Sequence, residues 1–400
     1  MVMDVATWAN KIHSQPVAPL GLIVMPGAEK LGAMVNEYLK QWAVSPENAD
    51  EILLTFPGAN KDTFEIKVSC PRFGTGEGKG MITESIRGMD LYILIDVTNY
   101  HLEYNMYGRP VPMSPDDHYM DLRRIIAATC NKGYRVNVIM PYLYEGRQHK
   151  RSTRESLDCA MMLQDLVSMG VSNIITFDAH DPRVLNAIPS TSFENVQPTY
   201  QTLKAIFNRI PDLKIDNEHM MVISPDEGAA NRNIYYSTML GINMGMFFKR
   251  RDYSVIVNGR NPIIAHEYLG ESVEGKDVII ADDILSTGDS LLDLAKKLKA
   301  MKCGRIIMIA TFVQFTLGID AFKEAYEQGL FDYVVTTNLN YLPEEYLNEP
   351  WLIRANMAKY IAYFIATLNH DRSVDSLLNP TARIEKLLAD YKKQRIQTRF

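Results

Sequence analysis

The chain has 400 residues, of which 22% are charged and 46% hydrophobic. This composition is typical of soluble globular proteins, and the length predicts two domains. The net charge of −6 argues against nucleic-acid binding driven by overall charge. Four widely separated cysteines predict neither a zinc site nor disulfides and favour a reducing compartment. No apolar run approaches the roughly 18–20 residues of a membrane helix, and the N-terminus lacks an export pattern, so we expect a cytoplasmic protein.

Apolar strands alternate with helical patterns along the chain up to Pro343. The predicted strands are 21–25, 91–96, 134–140 and 173–179 in the first half, and 219–225, 242–248, 277–282, 305–310 and 333–337 in the second. This alternation predicts an α/β fold with mostly parallel sheets, in a first domain of residues 1–196 and a second of residues 197–341. Residues 342–400 carry apolar side chains at helical spacing, and we expect an all-helical tail that packs on the first domain.

Two segments of the chain repeat the same pattern. Residues 83–97 and 270–284 both read E-S-[IV]-x-G-x-D followed by an apolar strand, and their aspartates, Asp90 and Asp277, are 187 positions apart. The next matched aspartates, Asp121 and Asp293, are only 172 apart, so the first copy carries 15 extra residues. Their Pro and Gly content predicts an irregular loop within residues 99–118. The shared motif favours an internal duplication.

A basic loop, residues 141–154, follows a strand of the first copy. It gathers one His and four cations, namely Arg147, His149, Lys150, Arg151 and Arg154. Arginine at a strand end suits bidentate phosphate binding, and Gln148 suits contact with a base edge. Such a loop is also common as a solvated surface segment, and its composition alone leaves both interpretations open.

Three further polar residues follow predicted strands, at the edge where α/β sheets bind ligands. Asp178 and His180 are expected on one side of a strand end, because alternate residues point the same way. They suit a divalent ion, although a lone His in this position is more often structural. Asp226 either contributes to a site or caps the next helix.

A cationic segment, Lys249-Arg250-Arg251, comes just after the strand 242–248. The polar residues that follow, up to Pro262, predict a mobile loop or hairpin flap. Cations on such a flap would suit closure over a polyphosphate and stabilisation of charge that develops during transfer.

The strongest motif is VIIADDILSTGDS, residues 278–290. Four apolar residues predict a buried strand, with Asp282 and Asp283 at its end, and the following loop opens into a helix. A loop rich in Gly and hydroxyl residues at a helix N-terminus suits phosphate. The paired carboxylates suit sugar hydroxyls or a metal. Together these features predict a seat for a phosphorylated ribose.

This segment resembles the 5-phosphoribosyl-1-diphosphate (PRPP) motif, which phosphoribosyltransferases and ribose-phosphate diphosphokinases share. Five more segments, in order over about residues 20–345, make the chain similar to the ribose-phosphate diphosphokinase family. They are FGTGE (73–77), PYLYEGRQ (141–148), FDAHDPRVLNAIP (177–189), SPDEGAANR (224–232) and FFKRRD (247–252). The resemblance implies two tandem type I phosphoribosyltransferase-like domains. The insertion and the tail have no clear counterpart in the family.

The resemblance also implies roles for individual residues. ATP would be contacted by Phe73, Thr75, Gly76, Glu77, Arg147 and Gln148, and Mg²⁺ by His180 and Asp226. Ribose 5-phosphate would be held by Asp282, Asp283, Ser286, Thr287, Gly288, Asp289 and Ser290, with Lys249 and Arg251 as catalytic cations. Members use ATP as diphosphoryl donor, need Mg²⁺ and commonly assemble as hexamers built from dimers. We therefore expect a homo-oligomer with neither nucleic-acid nor membrane partners.

Three departures qualify this resemblance: Thr75 stands where the family has an acidic or amide residue, Ser286 where it often has Asp, and Asp289 adds a negative charge to the phosphate loop. The leading hypothesis is ATP + D-ribose 5-phosphate → AMP + PRPP. The alternatives are a phosphoribosyltransferase that consumes PRPP, a non-catalytic regulatory homologue, and a PRPP-sensing transcriptional regulator, for which we find no helix-turn-helix.

Overall fold

The computed structural model describes residues 16–44, 62–251 and 263–397. The described residues fall into two compact units. The first contains the chain up to Pro198 together with 338–341 and 356–379, and the second contains 199–337, 342–355 and the chain from Pro380 onward. Within these described segments, no helix has the length and apolarity that crossing a bilayer requires.

Strands and helices alternate within both units. The described strands are β1 (Leu20–Val24), β2 (Val68–Ser69), β3 (Met81–Ile82), β4 (Asp90–Leu94), β5 (Glu103–Met106), β6 (Arg109–Pro112), β7 (Arg135–Ile139), β8 (Val171–Phe177), β9 (Ser192–Val196), β10 (Met220–Ser224), β11 (Met244–Arg251), β12 (Ile263–Leu269), β13 (Asp277–Leu285), β14 (Ile306–Val313), β15 (Tyr333–Thr337) and β16 (Leu352–Ala355). The described helices are α1 (Glu29–Val44), α2 (Pro115–Thr129), α3 (Asp158–Ser168), α4 (Thr199–Arg209), α5 (Ala230–Leu240), α6 (Asp289–Ala300), α7 (Asp320–Glu327), α8 (Glu344–Leu347), α9 (Ala358–Asn369), α10 (Asp375–Leu378) and α11 (Thr381–Gln397), with a 3₁₀ helix at Pro182–Ala187.

The first unit is built on a five-stranded parallel sheet with the order β1-β4-β7-β8-β9. Every residue of β4 is buried, as expected for a central parallel strand covered on both faces. The four strands predicted for this half are confirmed. The edge strand β9 was not predicted, because its sequence SFENV is polar and mostly half-buried.

The second unit is built on a seven-stranded sheet with the order β12-β11-β10-β13-β14-β15-β16. All neighbours are parallel except β11 and β12, which pair antiparallel. The five predicted strands of this half are confirmed. The mostly parallel α/β fold expected from the sequence is therefore confirmed in both units.

The tail is not all-helical, so that prediction was wrong. Residues 352–355 form β16, which pairs parallel with β15. Trp351, Ile353 and Ala355 are buried, an alternation that suits a strand, and β16 covers what would otherwise be an open sheet edge. The tail was expected to pack on the first domain. Residues 356–379 do belong to the first unit, whereas residues 342–355 and the chain from Pro380 onward belong to the second.

The predicted irregular loop within residues 99–118 is a β-hairpin instead. Strands β5 and β6 pair antiparallel around Tyr107 and Gly108, whose φ angles are 49° and 75°. Two successive positive φ angles are typical of a type I′ turn, which matches the twist of the flanking strands. Pro110 and Pro112 are tolerated because they lie in a two-stranded ribbon rather than in a central strand. Below, β5 and β6 with their turn, residues 103–112, are called the inserted hairpin.

The shared glycine of the repeated motif has the same conformation in both copies. Gly88 and Gly275 each have a φ of 73°, which only glycine adopts without strain. The N–H of Gly88 donates to the carbonyl of Lys132 at 2.8 Å, and the N–H of Gly275 donates to the carbonyl of Lys302 at 2.9 Å. This turn therefore starts the equivalent strands, β4 and β13, in the same way.

The shared aspartate also makes the same ion pair in both copies. Asp90 begins β4 and accepts from Nε of Arg135 at 2.7 Å, and Asp277 begins β13 and accepts from Nε of Arg305 at 3.0 Å. Arg135 begins the neighbouring strand β7, and Arg305 directly precedes the neighbouring strand β14. Equal bracing at equivalent positions supports the internal duplication predicted from the sequence.

Candidate functional site

The second sheet opens a crevice at its carboxyl edge, above β10. That strand ends at Ser224, opposite Met246 of β11, whereas β11 continues to Arg251. On the other side, β13 runs on to Leu285. β11 and β13 each lie one strand spacing from β10, so their projecting ends are about 10 Å apart. Ligands of α/β sheets bind at such places.

Asp282 and Asp283 lie within β13 and not at its end, so the predicted strand boundary was wrong. The strand continues to Leu285 because it keeps pairing with β14, up to Leu285 opposite Val313. Apolar residues at 284 and 285 extend the strand beyond the acidic pair. Successive side chains of a strand point to opposite faces, and accordingly Asp283 is buried while Asp282 is partly exposed.

Asn233 holds the strand just before the acidic pair. Its Nδ2 donates to the carbonyl of Ala281 at 2.7 Å, and its Oδ1 accepts from the N–H of Ala281 at 3.0 Å. Pairing between β10 and β13 extends only to Val222 and Ile279, so this fully buried side chain replaces the missing strand neighbour. The sequence did not reveal Asn233, because its partner is 48 positions away.

Arg232 sits between the two carboxylates. Its Nη1 lies 3.6 Å from Oδ1 of Asp282 and 3.8 Å from Oδ1 of Asp283. Burial raises the pKa of the Asp282 carboxyl above its usual range, and the charge of Asp283 raises it further, while Arg232 lowers it. The pair therefore tends to retain a proton and presents both a donor and acceptors. Arg232 closes the quoted segment SPDEGAANR, but the sequence alone assigned it no role.

Gly288 ends the loop after β13, and any other residue at this position would require the surrounding structure to rearrange. Gly288 has a φ of 87° and directly precedes α6. A Cβ at this position would lie 2.3 Å from two ring carbons of Phe322, which is fully buried. The close approach of this ring therefore explains why glycine stands at this point of the loop.

Backbone donors line the start of α6. Among the described residues, the N–H groups of Thr287, Gly288, Ser290 and Leu291 donate no hydrogen bond. The N–H of Asp289 makes one long contact, 3.4 Å to Oγ1 of Thr287. Unpaired N–H groups and the positive end of the helix dipole together favour an anion. The loop can therefore accept a phosphate group.

The remaining residues of the loop are either anchored to a neighbouring segment or exposed. Ser286 is anchored to Thr316, whose N–H donates to the Ser286 carbonyl at 3.0 Å. Asp289 and Ser290 are exposed. The additional negative charge of Asp289 is therefore solvated, which limits its repulsion of a phosphate on the loop.

Lys249 and Arg251 lie on the part of β11 that projects beyond β10. Lys249 is opposite His266 of β12, and a register shift separates Arg250 from Arg251. The antiparallel pairing of β11 and β12 is consistent with the predicted hairpin flap. Its tip, residues 252–262, and the side chains of both proposed catalytic cations lie outside the described residues.

Asp226 caps the turn that leads into α5. Its Oδ1 accepts from the N–H of Ala229 at 3.2 Å, and its carbonyl accepts from Oγ of Ser224 at 2.7 Å. These contacts support the capping interpretation. They do not test whether Asp226 also contributes to a metal site.

In the first unit, residues 73–77 form a tight turn. The N–H of Phe73 donates to the carbonyl of Glu77 at 2.7 Å, and Gly76 has a φ of 93°. Thr75 donates its hydroxyl to Oε2 of Glu77 at 2.9 Å, so the Thr that replaces an acidic or amide residue is held within the turn. Phe73 is 57% exposed and is available to a ligand.

The basic loop braces itself through Gln148. Its Nε2 donates to the carbonyl of Ser156 at 3.0 Å, whereas Arg147 is exposed. His149 lies with Nε2 3.4 Å from Asp181, and its ring centre is 5.3 Å from that of His180. The structure thus brings the basic loop beside the segment that contains His180.

Asp178 and His180 do not share one side of a strand end, so that prediction was wrong. β8 ends at Phe177, and Asp178 has a φ of 42°, which breaks the strand alternation. Asp178 is buried, whereas His180 is exposed. Across the described residues, no cluster of three or more His, Cys, Asp or Glu side chains could hold a metal ion.

Two family models match this chain. The N-terminal domain of ribose phosphate pyrophosphokinase matches residues 23–170, and the phosphoribosyl transferase domain matches residues 190–327. The two expected phosphoribosyltransferase-like domains are thereby confirmed.

Curated relatives match over most of their length. The ribose-phosphate pyrophosphokinase of Wolinella succinogenes is 26% identical over 316 residues, which cover 76% of this chain and 89% of the relative. Ribose-phosphate pyrophosphokinase A of Dictyostelium discoideum is 24% identical over 316 residues, covering 79% and 90%. The crystal structure of phosphoribosylpyrophosphate synthetase from Mycobacterium smegmatis has the same fold, with a TM-score of 0.67 at 20% identity, covering 88% of this chain and 99% of that one.

Three observations support the same family assignment. They are the order of the two domains, the acidic strand followed by a phosphate-accepting loop, and the agreement with relatives over nearly their whole length. The chain belongs to the ribose-phosphate pyrophosphokinase family.

Proposed function

We propose that the protein is a ribose-phosphate diphosphokinase, which transfers the diphosphoryl group of ATP to the C1 hydroxyl of ribose 5-phosphate and releases AMP. The observation that carries the proposal is the arrangement at the end of β13. Unpaired N–H groups at the start of α6 suit the 5-phosphate. The nearby Asp282–Asp283 pair suits the ribose hydroxyls.

In this proposal each substrate is assigned to its own set of residues. Ser286, Thr287, Gly288, Asp289 and Ser290, with Asp282 and Asp283, hold ribose 5-phosphate. Phe73, Thr75, Gly76 and Glu77, with Arg147 and Gln148, contact ATP. The ring of Phe73 is exposed and open to a nucleotide. Because Nε2 of Gln148 is already bonded to Ser156, Gln148 would use its carbonyl oxygen toward ATP.

The reaction is an in-line displacement at the β-phosphorus of ATP. The C1 oxygen of ribose 5-phosphate forms the new P–O bond, and the bond to the bridging oxygen of AMP breaks. The protein's contribution is positioning and charge stabilisation, because phosphoryl transfer needs little covalent participation. We assign the charge stabilisation to Lys249 and Arg251 on the projecting end of β11.

Mg²⁺ fits this site as a companion of the nucleotide and not as a resident of a protein cage. The described residues contain no three-residue metal cluster, and magnesium in such enzymes is usually held by one or two protein ligands together with substrate phosphates. We propose His180 as a magnesium ligand in the first unit and Asp226 as a magnesium ligand in the second. When bound, the ion would neutralise charge on the phosphate oxygens.

The quaternary structure and location of the protein are also proposals. We propose a homo-oligomer, from dimer to hexamer, because the family commonly assembles in this way. The four described cysteines are all free thiols, which supports a reducing, cytoplasmic location.

The test is to incubate the purified full chain with Mg-ATP and ribose 5-phosphate and to follow AMP and PRPP by phosphorus NMR. We expect the two products in equal amounts. Release of diphosphate from PRPP that depends on an added base would instead identify a phosphoribosyltransferase. Folded protein that makes neither product would favour the regulatory homologue.

The catalytic role of Lys249 is tested by substitution. Lys249→Ala should lower kcat at least about 100-fold while the KM for ribose 5-phosphate changes little, because the cation acts on developing charge. Lys296→Ala removes an exposed lysine of α6 that pairs with Asp293 and serves as the matched control. Equal losses in kcat and in ribose 5-phosphate affinity would contradict the assignment.

A further inference from the structure

The inserted hairpin has one half-buried face, formed by alternate residues. Along β5, Tyr104 and Met106 are half-buried, while the residues between them are exposed. The opposite strand adds half-buried Val111, directly across from Tyr104. Alternate residues of a strand point to the same side, so these side chains share one face of the hairpin. A two-stranded hairpin is only marginally stable in water on its own, and this face therefore needs a surface to pack on.

That surface is the turn that we propose contacts ATP. The N–H of Tyr107 donates to the carbonyl of Gly74 at 2.8 Å. A Cβ at Gly76 would lie 2.9 Å from Sδ of Met106 and 3.6 Å from Cε2 of Tyr104, so both side chains of the face reach the backbone of the turn. The hairpin and the turn belong to the first unit. An element without a counterpart in the family is thus bonded and packed onto the 73–77 turn.

Arg72 links the base of the same turn to the hairpin and to α2. It directly precedes the turn and pairs antiparallel with Gly78 across it. Its side chain is 6% exposed, and its Nη1 donates to Oδ1 of Asp121 on α2. The guanidinium lies 5.1 Å from the ring centre of Tyr104, which is a cation–π distance. In the part of the chain that the structure describes, Nε and Nη2 of Arg72 have no hydrogen-bond partner. The ring of Tyr104 therefore supports a buried cation whose hydrogen bonding is incomplete.

We infer that the inserted hairpin positions the 73–77 turn for the nucleotide, with Tyr104 and Met106 as positioning residues. In this role the two side chains act through the turn and not through contact with ATP. The inference rests on the proposed function, because it takes the turn as an ATP contact, but it assigns ATP affinity to residues outside the family motif. If truncation lets the turn sample other arrangements, the apparent dissociation constant for ATP rises by the inverse of the fraction that remains competent.

Titration calorimetry with ATP alone, on the full chain, tests this role for Met106. Met106→Ala should weaken ATP binding about 10-fold, which corresponds to a turn that keeps its binding arrangement about a tenth of the time. Met106→Leu conserves most of the packed volume and should bind ATP like the wild type. Met161→Ala removes an exposed methionine of α3 in the same unit. It is the matched control and should leave ATP binding unchanged.

Tyr104 provides an independent pair of variants. Tyr104→Ala removes the ring beside Arg72 and should weaken ATP binding by a similar factor. Tyr104→Phe keeps the ring and loses only the 3.3 Å hydrogen bond from the Tyr104 hydroxyl to Oδ1 of Asp117. Because the ring makes the contacts with Arg72 and with the turn, Tyr104→Phe should bind ATP like the wild type.

Hydrogen exchange tests the cause of the weaker binding without any nucleotide. The N–H of Phe73 donates to the carbonyl of Glu77 at 2.7 Å, and the N–H of Gly76 donates to the carbonyl of Phe73 at 2.9 Å. Both amides therefore report whether the turn is formed. Peptides that cover the turn should exchange faster in Met106→Ala and Tyr104→Ala than in the wild type. Unchanged exchange in both variants would overturn the inference.

Steady-state kinetics separate positioning from a loss of folded enzyme. Met106→Ala should raise the KM for ATP and leave the KM for ribose 5-phosphate unchanged. Its kcat at saturating ATP should also be unchanged, because bound nucleotide holds the turn. A lower kcat with both KM values unchanged would indicate a purely structural defect and would overturn the inference.

The binding data also separate this inference from the proposed function. If Met106→Ala and Tyr104→Ala bind ATP as tightly as Met106→Leu and Tyr104→Phe, the inference fails while PRPP synthesis by the wild type stands. Wild-type protein that binds ATP but makes no PRPP would overturn the proposed function, and the ATP affinities of the four variants would still decide the role of the hairpin.

Discussion

Replacing Asn233 by alanine should loosen the strand that carries the acidic pair. The change removes both hydrogen bonds to Ala281 and the donation from Nδ2 to the carbonyl of Ala229 at 2.8 Å. The N–H and C=O of Ala281 are then left without partners in a fully buried environment. Each orphaned group costs about 1–3 kcal/mol, so we expect a local loss of about 2–6 kcal/mol.

Hydrogen exchange followed by mass spectrometry measures this loss directly. A loss of about 2 kcal/mol in the free energy of local opening corresponds to roughly 30-fold faster exchange, so peptides that contain Ala281 should exchange at least that much faster. Asn231→Ala is the matched control, because Asn231 is exposed on the same helix turn.

The kinetic consequence should appear on the ribose side of the reaction. Displacement of Asp282 should raise the KM for ribose 5-phosphate more than the KM for ATP. Exchange at Ala281 that is no faster in Asn233→Ala than in Asn231→Ala would refute the claim that Asn233 holds this strand.

Two further predictions concern the same loop. Gly288→Ala should destabilise the protein by about 2–5 kcal/mol, because it places a non-Gly residue in a left-handed conformation and creates a clash with Phe322. Urea denaturation measures this loss. The control Gly74→Ala should be nearly neutral, because a Cβ at Gly74 would have no neighbour within 4 Å. Asp282→Asn should become more stabilising, relative to wild type, as the pH rises above about 4. The pKa of this carboxyl is raised in the folded protein. The wild type therefore loses stability as the pH rises from the ordinary pKa of an aspartate toward the raised pKa of Asp282. Between pH 4 and pH 8 the free energy of unfolding of Asp282→Asn, derived from melting temperatures, should rise relative to wild type by more than about 1 kcal/mol. One pKa unit corresponds to about 1.4 kcal/mol. An equal pH trend in Asp289→Asn, at an exposed position of the same loop, would contradict this explanation.

The regular part of the fold was predictable because its signal is local. Each of the nine predicted strands is an apolar run with turn residues around it, and burial on both faces makes such runs continuous. The elements that were missed depend on distant partners. β16 is stabilised by pairing with β15, a strand that is distant in sequence. The inserted hairpin depends on two positive φ angles, at Tyr107 and Gly108.

The candidate site was predictable to the same degree. Gly288 and the acidic pair occur in one continuous motif, so their chemistry could be read directly. Arg232 and Asn233 act across about 50 positions of sequence, and no local pattern marks them. The position of Asp178 depends on a positive φ angle, which overrides the strand alternation on which the prediction relied.

The matched aspartate–arginine braces have a consequence for how the two halves could diverge. Each brace grips its strand at the amino end, in one copy at Asp90 and in the other at Asp277. In the second copy, the acidic pair that we propose to hold ribose 5-phosphate lies toward the opposite end of β13. After a gene doubles, selection for folding therefore acts on one terminus of the strand and leaves the other terminus open to change. One half could give up its acidic pair and take on an extra hairpin without losing the framework that both halves inherited.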